Sequence, residues 1–94
     1  MNLKEQIKTG KVLIDFYADW CGPCKTLAKQ LIKYKEEVTG VDVIKINVDE
    51  EADLMAEYNI RSIPTLIYIV DGEIIDRTTG NKTLEQLKEF TKIQ

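Results

Sequence analysis

The 94-residue chain predicts an α/β fold: a single domain over 1–94, built on a four-stranded mixed sheet with helices on both faces. Three observations carry that prediction. Apolar runs of strand length alternate with segments of helical spacing, and a strand–helix–strand succession demands a parallel crossover. Towards the C-terminal end, two strand-like runs flank Asp71-Gly72, a hairpin signal that adds an antiparallel pair. A hydrophobic content of 44% over this length suits one modest core.

Each element has its own warrant. Residues 3–8 read as a short helix stopped near Gly10. "KVLIDFY" (11–17) places Val12, Ile14 and Phe16 on one face and Leu13 and Tyr17 on the other, the pattern of a strand covered on both sides. From Pro23 onward, Cys24, Leu27, Ala28, Leu31, Ile32 and Val38 recur at mostly helical spacing, with Gly40 as the stop. "VDVIKINV" (41–48) is the second strand, and "EADLMAEY" (51–58) a short helix. "TLIYIV" (65–70) and "EIIDRT" (73–78) form the hairpin. "TLEQLKEFTKI" (83–93) closes the chain as an amphipathic helix with Leu84, Leu87 and Phe90 inward.

Composition narrows the function. Charged residues make up 31%, mixed in sign, for a net charge of −3. Without a basic stripe, no nucleic-acid partner is expected. No apolar run approaches membrane-spanning length, so no membrane association is expected either. The polar start "MNLKEQIK" is unlike a secretory signal, which makes the cytoplasm the default location. Thiols there are kept reduced, and a close cysteine pair is more often catalytic or metal-binding than a structural staple. The chain has no histidine. Proton chemistry therefore falls to carboxylates, thiols, lysines or tyrosines.

Both cysteines lie in "FYADWCGPCKTLAKQ" (16–30). A spacing of three puts Cys21 and Cys24 on nearly one side of a helix start, where a dithiol and a disulfide both fit. Cys24 lies in line with Leu27, Ala28 and Leu31 and should face the core. Cys21 precedes the first full turn, where unpaired N–H groups and the helix dipole stabilise a thiolate. Cys21 is thus expected to be the exposed nucleophile of lowered pKa, and Cys24 the sheltered resolving thiol. Pro23 suits the first turn because its missing donor costs nothing there. Metal binding is the competing use of such a pair. Tetrahedral zinc needs two further ligands, which only carboxylates or a second chain could supply.

Asp15 sits mid-strand among apolar neighbours, on the side of Leu13 and Tyr17. If buried, its carboxyl should be pushed up towards neutrality, where it could take a proton from Cys24. A surface or edge aspartate is the plainer alternative. Lys45 could be an ordinary solvated lysine, and Trp20 a core residue, although its place before the nucleophile favours the surface. For Pro64, residues alone favour trans, since about 5% of X-Pro bonds are cis.

"DFYADWCGPCK", "RSIPTL" and "DGEIIDRTTG", in this order and spacing, resemble the thioredoxin family from about Lys11 to the C-terminus. The resemblance implies the thioredoxin fold and a protein-disulfide reductase that acts on disulfide-containing protein substrates. It also implies re-reduction by a thioredoxin-reductase-type partner and no cofactor beyond the Cys21–Cys24 pair. It places Asp15 beneath the cysteines with Lys45 as its neighbour. It makes Pro64 cis, lying against the active-site disulfide, with the Ile63 backbone free to pair with an extended substrate. Trp20, Gly22, Pro23, Ile63, Thr79 and Gly80 would form the shallow docking surface.

Two departures accompany the resemblance. Only ten residues precede Lys11, so the family's usual first strand is expected to be missing and 42–48 to form a sheet edge; a monomer is expected nonetheless. Lys29 stands where the family often has proline, which predicts an unkinked helix from Pro23 to Glu37. A glutathione-linked, glutaredoxin-like enzyme and a non-catalytic binding module are the rival functions.

Overall fold

The computed structural model describes residues 2–92. In chain order they form α1 (Leu3–Gln6), β1 (Lys11–Tyr17), α2 (Gly22–Glu37), β2 (Val41–Asn47), α3 (Ala52–Glu57), β3 (Thr65–Val70), β4 (Glu73–Thr79) and α4 (Leu84–Phe90). The sheet order is β2-β1-β3-β4. β1 runs parallel to β2 and antiparallel to β3, and β3 is antiparallel to β4. Among the described residues, β2 is an outer strand.

β1 is central because its side chains are apolar on both faces, and residues 12–16 are all buried. Val12, Ile14 and Phe16 join Leu3 and Ile7 of the N-terminal segment and Ile46, Ile67 and Ile69 of the other strands. Leu54, Met55 and Tyr58 of the α3 segment pack on this cluster. Leu13 points the other way, with Leu27, Leu31 and Tyr34 of α2, Leu66 and Tyr68 of β3, and Leu87 of α4. The period-2 alternation of β1 thus sorts its residues between two cores on opposite faces of the sheet.

The hairpin forms at Asp71-Gly72, where both residues take positive φ, 49° and 84°. That is the requirement of a tight two-residue turn matched to strand twist. Asp71 Oδ1 also accepts a hydrogen bond from the Gly10 N–H at 2.7 Å, which ties the turn to the start of β1.

α2 runs unbroken for 16 residues through Lys29. Its apolar stripe differs from the expected one. Leu27, Leu31 and Tyr34 are buried, whereas Ile32 is 61% exposed. One residue is about 100° of helix, so a stripe centred on Leu31 carries Ile32 round to solvent. Tyr34, three residues after Leu31, takes the inward place. Val38 is the C-cap of the helix and lies beyond its last turn.

Candidate active site

The end of β1, the start of α2 and the loop before β3 meet at the cysteines. Cys21 is the N-cap of α2, with Pro23 in the first turn. Its extended backbone, φ −88° and ψ 111°, frees the side chain to turn back over the helix end. There Sγ accepts a hydrogen bond from the Cys24 backbone N–H at 3.2 Å. The Cys21 N–H donates to the Ala18 carbonyl, and its own carbonyl accepts from Lys25, each at 3.2 Å. Cys21 and Cys24 are joined as a disulfide with Cα atoms 5.2 Å apart.

The expected difference in exposure between the cysteines is not found. Cys21 is 5% exposed and Cys24 3%. Both belong to the cluster that includes Ala18, Val48 and Ile60, with Ile63 packed against it. The Ile63 carbonyl oxygen lies 4.0 Å from Cys21 Sγ. Helix position alone aims Cys21 outward. The loop before β3, 42 residues later, covers it.

That loop carries Pro64, and the Ile63–Pro64 bond is cis. The Gly80 N–H donates to the Pro64 carbonyl at 2.9 Å, and Thr79 is the register partner of Thr65. Ile63, Pro64, Thr79 and Gly80 are therefore one patch, adjoining Cys21 through Ile63. Gly80 holds φ +85°, a conformation that glycine adopts without strain. Gly22 and Pro23 are exposed at the helix start. Trp20 is 70% exposed.

Asp15 lies on the face of β1 that also carries Leu13, the face covered by α2. It is fully buried, and neither carboxyl oxygen has a hydrogen-bond partner among the described residues. Burial raises its pKa from 3.8 to about 6, with Lys45 pulling the other way. Lys45 is the register partner of Asp15 on β2. Its side chain is exposed, with Nζ 4.6 Å from the centroid of the Tyr17 ring.

Sequence reasoning missed three polar residues around Trp20. The indole N–H donates to Asp49 Oδ2 at 2.9 Å. Asn47 Oδ1 accepts from the Asp49 N–H at 2.9 Å, and Asn47 Nδ2 reaches Asp19 Oδ2 at 3.5 Å. A signal was present, because a tryptophan N–H held near protein usually finds an acceptor. Nothing local pointed to Asp49, 29 residues away.

A cystine capping the first turn of a helix, on a mixed α/β sheet with a buried carboxyl in the strand before that helix, defines the molecule as a thiol–disulfide oxidoreductase. Comparison with known proteins agrees. The thioredoxin family model matches residues 1–93. The thioredoxin of Chlamydia caviae is 44% identical over 86 residues, covering 92% of this chain and 84% of its own. That of Staphylococcus haemolyticus is 42% identical over 89 residues, covering 94% and 86%. Mitochondrial thioredoxin 3 of Saccharomyces cerevisiae, in its oxidised form, superposes with a TM-score of 0.89 at 34% identity, covering 96% of this chain and 85% of that one. The chain belongs to the thioredoxin family.

Proposed function

We propose that the chain reduces disulfides in protein substrates through the Cys21/Cys24 pair and is itself re-reduced by a thioredoxin-reductase-type partner. The observation that carries the reading is the amide at the start of α2 aimed at Cys21 Sγ, together with the buried, unpartnered Asp15 in the strand that leads into the helix. An N–H donor stabilises a thiolate, and a carboxyl of pKa about 6 is ionised at neutral pH and ready to accept a proton.

The steps follow from these roles. The Cys21 thiolate attacks one sulfur of the substrate disulfide. A mixed disulfide forms, the substrate S–S bond breaks, and the leaving sulfur departs as a thiolate that takes a proton from solvent. Asp15 then accepts the proton of the Cys24 thiol. The Cys24 thiolate attacks Cys21 Sγ, closing the Cys21–Cys24 disulfide and releasing the second substrate thiolate. Two electrons have passed to the substrate. The reductase partner returns them, and no cofactor is held by this chain.

Lys45 keeps the Asp15 carboxylate from being pushed higher still. Trp20, Gly22, Pro23, Ile63, Thr79 and Gly80 form the docking surface, with Pro64 buried next to Ile63 and the Ile63 backbone pairing to an extended substrate segment. No helix among the described residues is long and apolar enough to cross a membrane, and the proposed setting is a monomer in the cytoplasm.

The test uses two replacements that should fail differently. Cys24→Ser retains the nucleophile and loses the resolving thiol, so mixed disulfides with substrate should accumulate as adducts cleaved by dithiothreitol. Cys21→Ser should trap nothing. Adducts with Cys21→Ser alone would reverse the roles; none with either variant would exclude exchange. A binding module would hold its partner without a covalent bond in both. Turnover driven by thioredoxin reductase, against turnover driven by glutathione, identifies the donor.

A further inference from the structure

The tryptophan beside the nucleophile is exposed, yet it is not free. An indole has one hydrogen-bond donor, and the Trp20 N–H is fixed to Asp49 Oδ2. Asp49 is fixed in turn, its backbone N–H bonded to Asn47 Oδ1. Asn47 is 8% exposed and ends β2. Its carbonyl accepts from the N–H groups of Glu50 and Glu51 at 3.1 and 3.0 Å. It is the register partner of Tyr17, the last residue of β1, and the Val48 N–H closes onto the Tyr17 carbonyl at 2.9 Å. Asn47 Nδ2 also reaches Asp19, the residue before Trp20. A continuous chain of bonds therefore runs from the paired ends of β1 and β2 to the edge of the indole.

We infer that Asn47 and Asp49 are positioning residues for substrate docking: they hold the Trp20 side chain in one orientation before a substrate arrives. This rests on the reading of Trp20 as part of the docking surface. A large exposed side chain left free would lose its rotamer freedom on each binding event; one already immobilised does not. Neither residue touches the sulfurs, so the effect falls on the encounter with a protein substrate and not on the exchange step.

Trp20 is the chain's sole tryptophan, which allows its motion to be read directly. Asp49→Ala removes the acceptor, whereas Asp49→Asn retains one. Asn47→Ala removes the support of Asp49, and because Asn47 is buried, the Asp49 pair keeps the test valid if that variant fails to fold. Time-resolved fluorescence anisotropy reports the indole. Insulin reduction gives KM and kcat for a protein disulfide, and a small aromatic disulfide reports exchange with little docking.

The expected result for Asp49→Ala is a fast-moving indole, a KM for insulin raised about three- to tenfold, and kcat and the small-disulfide rate within about twofold of the parent. Asp49→Asn should restore both the anisotropy and the KM. An indole as still in Asp49→Ala as in the parent overturns the inference, and so does a mobile indole with unchanged KM. Trp20→Ala separates the two levels. If its KM for insulin equals the parent's, the docking role of Trp20 itself has failed, whatever the anisotropy shows.

Discussion

The two ends of α2 treat buried polar groups in opposite ways. At its C-terminal end, Tyr34 is fully buried, and its hydroxyl lies 2.7 Å from Thr91 Oγ1. The threonine hydroxyl donates onward to the Leu87 carbonyl at 3.0 Å, leaving Tyr34 as the donor of the first bond. The chain of bonds joins α2 to the end of α4 inside the Leu13–Leu27–Leu87 cluster. At the N-terminal end, α2 covers the sheet face of Asp15, whose carboxyl oxygens have no partner among the described residues. A satisfied buried group stabilises; an unsatisfied one costs about 1–3 kcal/mol. Among the described residues the Asp15 carboxyl and the Tyr68 hydroxyl carry that cost, and of the two the unpaired carboxyl retains its freedom to take a proton near neutral pH.

Breaking the satisfied end should have the largest effect on stability. Tyr34→Ala empties the centre of one core and removes a buried hydrogen bond. A loss of about 4 kcal/mol is expected, measured by urea unfolding, with the chemistry of any surviving fold intact. A loss under about 1 kcal/mol would mean that α4 does not depend on this contact.

Relieving the unsatisfied end should act in the other direction. The Asp15 pKa is raised from 3.8 to about 6, so the folded protein binds a proton that the unfolded chain releases between those values. Stability contributed by the neutral carboxyl is therefore full below about pH 4 and falls as pH rises towards 6. Above that it stays lower, by about 3 kcal/mol at about 1.4 kcal/mol per pKa unit. Asp15→Asn abolishes the ionisation and meets the same unpartnered surroundings. It should gain about 2–3 kcal/mol at pH 8 and almost nothing at pH 4, while disulfide reduction slows. Equal stabilisation at both pH values would show that ionisation is not the source; unchanged turnover from pH 6 to 8 would remove Asp15 from the proton transfer.

Two hydroxyl deletions sharpen the contrast at smaller scale. Tyr34→Phe strands the Thr91 pairing and should cost about 1 kcal/mol. Tyr68→Phe, in the same cluster, removes a buried hydroxyl without a partner among the described residues. It should be neutral or stabilising by a few tenths of a kcal/mol. Reversal of that order in thermal melts would mean that hydrogen-bond satisfaction is not what separates the two sites.

By itself the sequence determined the order of elements, the turn at Asp71-Gly72, the double-faced burial of β1, and Cys21 and Cys24 at a helix start with Asp15 in the strand before it. These are properties of spacing within a few residues, and periodicities of 2 and 3.6 report them directly. It misjudged the α2 stripe at Ile32, because the 100° turn per residue that buries Leu31 carries Ile32 round to solvent and gives the inward place to Tyr34. Tertiary structure alone decided the cover over Cys21, the join of Pro64 to Gly80, and the hold of Asp49 on Trp20. Each of those contacts pairs loops from different strands, 42, 16 and 29 residues apart. Such loops meet because the sheet brings strand ends together, and no local preference in either segment encodes the meeting.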